Sequence, residues 1–417
     1  MQSKLWLLMV TLLVVTMSEL QTAGMLPYLA RDLGVSTGEV GLLVSVYALG
    51  MAIGGPLLAI ALRKGPPRRS LVLVVAAYGI IETLAPIIHE YWWLALIRLL
   101  TGCLAGAMFG LCVSFGARLA PRPDRIGPSI AIVMSGLMVG TVFGLPLSHF
   151  IAERWGWQVS FYALGIISLV VCLIDHFGLP ALAAADSESG TQDARNLRKP
   201  ALWGRFLVSL LTIGATYGAF SYFTPLLQQN AGFSPNATTV ILFAYGLCTV
   251  VGNLIVGKFA DDHAVGVLRI GHSLLFVSLV VLSLFSGTPP VTLAFVLVVG
   301  LVGVTMNPAL IGRVVEVGGS GNLVSTVHTA VITSGVMVGA AISAGAMGIF
   351  GEDPVVATWT GAVLAVLAAL VLATQSTRKK RPAPANPHNT RARHPYLRRD
   401  NRTEPVETRH EHQHLCG

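Results

Sequence analysis

Three ionisable side chains stand where such groups are costly. Glu19, Glu82 and Arg98 each lie deep inside a long apolar stretch of this 417-residue chain. An ionisable group in hydrocarbon tends to mark a path for a proton, an ion or a polar substrate. At 1.5 Å per helical residue, Glu19 falls about 21 Å from the start of its stretch and Glu82 about 18 Å into its own. Arg98 comes from the opposite side, about 10 Å down, so in a core about 30 Å thick the three reach a similar level. Burial disfavours an ionised carboxyl group and a neighbouring guanidinium favours it. A layer of this composition can hold a proton that another ligand displaces. The same three residues would serve equally as a buried ion pair that fixes helix packing. The second half of the chain holds no acid at this depth, and its polar candidates are Asn253, Asn307 and His328. Tyr217, Phe220 and Tyr222 offer rings on which an apolar solute could stack, a use that competes with ordinary packing.

The elements that must position these groups follow from composition. The chain is 53% hydrophobic and 12% charged, too little charge to cover a soluble surface. Apolar stretches long enough to cross a bilayer are predicted at 5–30, 39–62, 70–89, 91–117, 127–152, 157–179, 203–228, 236–260, 267–287, 291–312, 322–349 and 355–375. Twelve spans leave no room for a sizeable soluble domain. The first carries Glu19 and lacks a small-residue cleavage site, so it reads as a span and not as a removable signal. Of the 28 Lys and Arg residues, 25 fall in one set of alternate segments, including Arg63, Arg68, Arg69 and ten residues after position 375. Arg31 and Arg154 stand on the other side. The positive-inside rule then places both termini in the cytoplasm. The net charge of +8 therefore reports membrane topology and not nucleic-acid binding. Residues 180–202 read as a cytoplasmic linker, and 376–417 as a basic, disordered cytoplasmic tail that either touches anionic lipid or is simply solvated. The five cysteines show no paired spacing.

A shift of 198 residues aligns the chain with itself. Pro27 meets Pro225, Gly34 meets Gly232, Ser36 meets Ser234, Tyr47 meets Tyr245, and Gly54 meets Gly252. Near the ends of the halves the register moves by one, so that Gly136 and Gly140 meet Gly335 and Gly339. Two related six-helix halves, 1–179 and 203–375, suit an alternating-access transporter with a site between them.

The ordered motifs carry a resemblance. Ser18-Glu19 is followed by Leu26-Pro27 and by Asp32-Leu33-Gly34-Val35-Ser36. Arg98-Leu99-Leu100-Thr101-Gly102 then comes with Gly106, and Gly136, Gly140, Gly144, Leu145 and Pro146 with Gly156-Trp157. Tyr222-Phe223-Thr224-Pro225-Leu226-Leu227 runs on to Ala231-Gly232-Phe233-Ser234. Together these resemble the major facilitator superfamily, and most of all its twelve-helix drug:proton antiporters of the arabinose-efflux and chloramphenicol-resistance type, over nearly all of residues 5–375. The resemblance implies an all-α membrane fold of two pseudo-symmetric six-helix bundles. It puts helix 1, with Glu19, on the cavity, and makes helix 3, with Glu82, peripheral and structural. It makes the Gly136–Gly140–Gly144 ladder with Pro146 an antiporter motif that bends helix 5 against ion leakage; tight packing alone also explains the glycines. One departure stands in the loop between helices 2 and 3. Gly55 begins the family's motif, but Ile60 takes the place of its Asp, while Arg63, Arg68 and Arg69 keep the positive charge. The second half retains Gly257-Lys258-Phe259-Ala260-Asp261, so an acidic latch would rest on Asp261.

The expectation is a secondary transporter driven by the proton gradient, without cofactor or metal. It would export a small, moderately hydrophobic compound, antibiotics among the candidates, as a monomer in the cell membrane. The alternatives are a sugar or metabolite exporter on the same scaffold and a non-transporting membrane sensor. No catalytic constellation points to an enzyme. His410-Glu411-His412-Gln413-His414 spells a zinc-protease pattern without a helix pair or third ligand. Gly252 through Lys258 mimics a phosphate-binding loop, but Phe259 replaces the required hydroxyl residue.

Overall fold

The computed structural model describes residues 2–62, 65–122, 125–182, 195–319 and 322–375. The middle of the expected linker and the whole of the basic tail, with the His410–His414 pattern, lie outside these residues, as does Arg63. Twelve helices are long and apolar enough to cross a membrane. They are α1 (Ser3–Gly24), α2 (Thr37–Leu62), α3 (Pro67–Ile87), α4 (Tyr91–Arg118), α5 (Ile126–Trp155), α6 (Trp157–Gly178), α7 (Pro200–Asn230), α8 (Pro235–Ala260), α9 (His263–Phe285), α10 (Pro289–Gly318), α11 (Val324–Phe350) and α12 (Val355–Thr374). No strand occurs among the described residues. We call the side where α1 begins and α12 ends the terminal face.

The sequence reading of 5–30 as one span needs correction. The first helix stops at Gly24, Met25 leaves helical geometry at φ −102°, ψ 8°, and a separate helix runs Leu26–Leu33. Pro27 forces the break: it has no N–H to give and is tolerated only in a helix's first turn. The second half repeats the device. Tyr222 takes φ −111°, ψ 12° just before the Phe223–Pro225 turn, which holds the matching Pro225. Beyond each break a glycine enters the left-handed region, Gly34 at φ 65° and Gly232 at φ 71°, where a side chain would be strained. A serine then caps the next span in each half. Ser36 accepts from the Glu39 amide in a full capping box, and Ser234 accepts from the Ala237 amide.

Packing follows the same repeat. A methyl group at Gly102 would overlap the backbone of Tyr47, and one at Gly300 would come within 2.9 Å of the Tyr245 carbonyl oxygen. Both pairs are related by the 198-residue shift. α5 lies along α1 through its glycines, as α11 lies along α7: a Cβ on Gly140 would stand 2.6 Å from Thr16 Cβ, and one on Gly339 2.6 Å from Gly214 Cα. The halves are thus pseudo-symmetric six-helix bundles, each with an apolar core, the second of which also takes in Leu20 and Leu145 of the first half. A smaller cluster joins them, with Val44 and Ala48 of α2 against Ile213 of α7 and Val336 and Ala340 of α11.

Hydrogen bonds between the halves gather on the side away from the terminal face. Thr224 Oγ1 donates to the Ala23 carbonyl at 2.9 Å, and the Gly38 amide donates to Glu352 at 3.1 Å. His149 faces the Gly24 carbonyl with Nδ1 at 3.1 Å and the Pro235 carbonyl with Nε2 at 3.2 Å. Nearer the terminal face, Asn253 Nδ2 contacts Met138 Sδ across the halves at 3.9 Å. The two bundles are therefore drawn together at the far face.

Candidate functional site

Helical spacing decides which polar groups meet. Ser18 and Gln21 are three residues apart on α1 and share a face, while Glu19 points about 100° around the axis from Ser18. Ser18 Oγ donates to Glu82 Oε1 of α3 at 2.8 Å, and Gln21 Nε2 donates to the same oxygen. Gln21 Oε1 accepts from Ser160 of α6 at 3.2 Å. Arg98 of α4 donates through Nη1 to the Ser18 carbonyl at 3.0 Å and to Ser18 Oγ at 3.2 Å. Its guanidinium carbon lies 4.0 Å over the Tyr47 ring of α2, a cation–π contact. Glu82 and Arg98 are both fully buried, as are Ser18 and Gln21. One hydroxyl, that of Ser18, therefore links the acid and the base, and α2 and α6 join the network through Arg98 and Gln21.

Glu19 belongs to the same layer but looks the other way. Arg98 Nη2 reaches its carbonyl at 3.5 Å, while its carboxylate accepts from the Tyr217 hydroxyl of α7 at 3.2 Å. Glu19 and Tyr217 are 198 residues apart. They occupy matching positions of the two halves, so their hydrogen bond spans the pseudo-twofold axis itself. Glu19 is partly open, in contrast to Glu82 behind it. Tyr217 packs edge-on against Phe220, which stacks on Tyr245 at 5.1 Å between ring centres. Phe220 and Tyr222 are 3% and 1% exposed, so both are packing residues here and not a stacking platform.

The other sequence candidates are dispersed. His328 sits inside the C-terminal half, stacked on Phe206 and 2.9 Å from Ser209 Oγ. Asn253 meets Met138 of the opposite half. Asn307 opens the second part of α10, after the chain breaks at Gly303 (φ −70°, ψ −98°), and its Oδ1 has no partner among the described residues. Gly55 lets α2 approach Gly106 of α4 closely. Arg68 Nη1 donates to the Leu179 carbonyl at the end of α6 at 3.3 Å, a contact within one half, and Arg69 is exposed. Asp261 lies on a helix whose backbone is described; its side chain is not. Gly136, Gly140 and Gly144 all face α1, and α5 continues unbroken through Pro146.

Sequence reasoning passed over several residues. In sequence Ser18 stands out only as part of a motif and Gln21 carries no mark, yet they tie Glu82 to Arg98; their three-residue spacing is the available signal. Asp175, near the end of α6, is also fully buried, with Oδ2 taking a bond from Thr11 at 2.9 Å. Its place at the edge of a predicted span hides this burial from the sequence. His272 of α9 lies 2.7 Å from Thr212 Oγ1, and His149 bridges the halves; both are lone histidines in apolar sequence and gave no sign of their partners.

Twelve apolar spans, two pseudo-symmetric bundles and a polar layer on the axis between them define a multi-pass membrane transporter. A family model for the Major Facilitator Superfamily matches residues 7–328, and the chain belongs to that family. It is 31% identical over 373 residues to the inner membrane transport protein YdhP of Escherichia coli (strain K12), covering 87% of this chain and 93% of that one. It is 28% identical over 353 residues to a chloramphenicol resistance protein of Streptomyces lividans, covering 82% and 89%. Among solved structures it resembles the nucleoside transporter NupG with a TM-score of 0.71 at 14% identity, over 89% of this chain and 99% of that one.

Proposed function

We propose that this chain is a proton-coupled exporter of a small, moderately hydrophobic compound, with Glu19 as the group that exchanges the proton. The observation that carries this reading is the Glu19–Tyr217 hydrogen bond between repeat mates of opposite halves, with Arg98 standing behind it. An ionised Glu19 accepts a charge-assisted bond from Tyr217, roughly twice as strong as a neutral one. Taking up a proton weakens that tie and removes the charge, so proton and substrate compete for one point where the halves meet. The terminal face is then cytoplasmic, in keeping with the basic loops there, and residues 1–179 and 203–375 rock about the axis. A relative named for chloramphenicol resistance supports a drug-like solute.

The test is a drug panel in an efflux-deficient host, followed by transport in inside-out vesicles with and without an imposed pH gradient. Glu19→Gln should lose gradient-driven extrusion of the identified compound by at least about tenfold, about 1.4 kcal/mol of coupling, while still binding it. Extrusion against a gradient by Glu19→Gln at the wild-type rate would end the proton assignment. A host protected from no compound at all would end the drug assignment.

A further inference from the structure

We propose that Arg205, Arg313 and Gln375 form a binding site for a phosphate group at the terminal face of the C-terminal half. The three come from the ends of different spans: Arg205 near the start of α7, Arg313 near the end of α10, and Gln375 directly after α12. Gln375 Nε2 donates to the Gly204 carbonyl at 2.7 Å, which turns the amide oxygen toward the arginines. Arg205 Nη1 and Arg313 Nη2 both donate to that one oxygen, each at 2.7 Å. Two like charges thus share a neutral acceptor.

Three of the remaining donors are without a partner among the described residues. Arg313 is 3% exposed, yet its Nε and Nη1, and Nε of Arg205, have no hydrogen-bond partner among the described residues. A buried guanidinium rarely leaves its fork empty, because each unpaired N–H forfeits the water it gave up. Glu316 acts on Arg205 through space but is itself exposed, and Lys199 is taken up by the Val317 carbonyl at 3.2 Å. A tetrahedral oxyanion answers both deficits, since it brings negative charge and several acceptor oxygens to a pair of guanidinium forks. Arg205 is only partly buried, and offers the side from which an anion would arrive. The level suits a phosphate. Trp203, two residues away, is 55% exposed with its indole N–H on the Leu197 carbonyl, the posture of a residue at the membrane–water boundary, where lipid headgroups lie. This inference stands apart from the proton reading of Glu19.

The full-length protein would be unfolded thermally in nanodiscs of phosphatidylcholine, whose phosphate is already balanced by its own choline cation and brings no net charge, in the same discs containing anionic phosphatidylglycerol, and in phosphatidylcholine discs with millimolar inorganic phosphate. Phosphatidylglycerol should raise the wild-type midpoint by at least about 3 °C. Arg205→Gln and Arg313→Gln should lose most of that gain, and Arg269→Gln, which removes an exposed charge elsewhere on α9, should keep it. In phosphatidylcholine alone Arg313→Gln should be no less stable than wild type, because an unpaired charge has gone. A matching gain with inorganic phosphate identifies a free anion as the source; a gain confined to phosphatidylglycerol identifies the lipid headgroup. Equal gains in wild type and both variants, or no gain from either anionic phosphate, would overturn the site. Should Arg313→Gln fail to fold, Arg313→Lys, which keeps the charge without the fork, should retain only part of the gain, and native mass spectrometry of retained phosphatidylglycerol reads the same difference; full retention would count against the site.

Discussion

Glu82 and Glu19 stand in one polar layer and are asked to do different things. Glu82 is sealed within its half, where one carboxylate oxygen takes bonds from both Ser18 and Gln21. A glutamine keeps that acceptor, whereas an alanine leaves two buried donors and Arg98 without their counterpart. Glu82→Gln should therefore melt within about 1 kcal/mol of wild type, and Glu82→Ala should lose about 3 kcal/mol. A calorimetric comparison in one detergent decides between them; equal losses for both would mean that the ionic charge, not the acceptor, matters at this point. The depth of the three ionisable groups was legible from residue counting alone. Their division was not, because it turns on which way each side chain leaves α1, and that depends on neighbours contributed by α3, α4 and α7.

At the scale of elements, α5 packs against α1 through a ladder of glycines in the N-terminal half. Gly136 brings backbone against backbone, and at Gly140 and Gly144 the Thr16 and Leu20 side chains of α1 seat on the glycines. Gly140→Leu would drive its branch into Thr16, where even a Cβ lies 2.6 Å from the Thr16 Cβ. Such overpacking costs about 1–3 kcal/mol and would displace the α1 turn that carries Ser18 and Glu19. We expect lowered thermal stability together with lost transport in Gly140→Leu, and near-normal behaviour in Gly127→Leu, where open space surrounds the position. Normal transport by Gly140→Leu would show that α1 tolerates a shift there. The number and order of spans could be read from sequence because twenty apolar residues have few other uses. The break at Met25 could have been read from Pro27; the matching break in α7 falls just before its proline, and the Gly303 break in α10 just before Pro308. What periodicity could not give was the face each span turns to its partners, since apolar residues surround these helices on every side, toward lipid as well as toward protein.

At the scale of the whole molecule, the two bundles are closed at the face away from the termini, where Gly38 of α2 lies against α11. A Cβ on Gly38 would stand 3.2 Å from the Ala344 carbonyl oxygen. Cysteines at both places should form a disulfide that holds this face shut. Oxidised G38C/A344C protein is expected to stop transporting and to recover once reduced, as followed by vesicle flux before and after dithiothreitol. Uninterrupted flux in a fully cross-linked sample would mean that this face need not open.

The bond between Glu19 and Tyr217 joins two places that the repeat makes equivalent. In an assembly of two identical chains, a residue on the axis can meet only its own copy: acid would face acid, or phenol would face phenol. Fusing the halves into one polypeptide frees each to change alone, so a proton acceptor can sit opposite a hydrogen-bond donor at the centre of symmetry. The covalent connection thus permits a polarity across the dyad that no homodimer of either half could have.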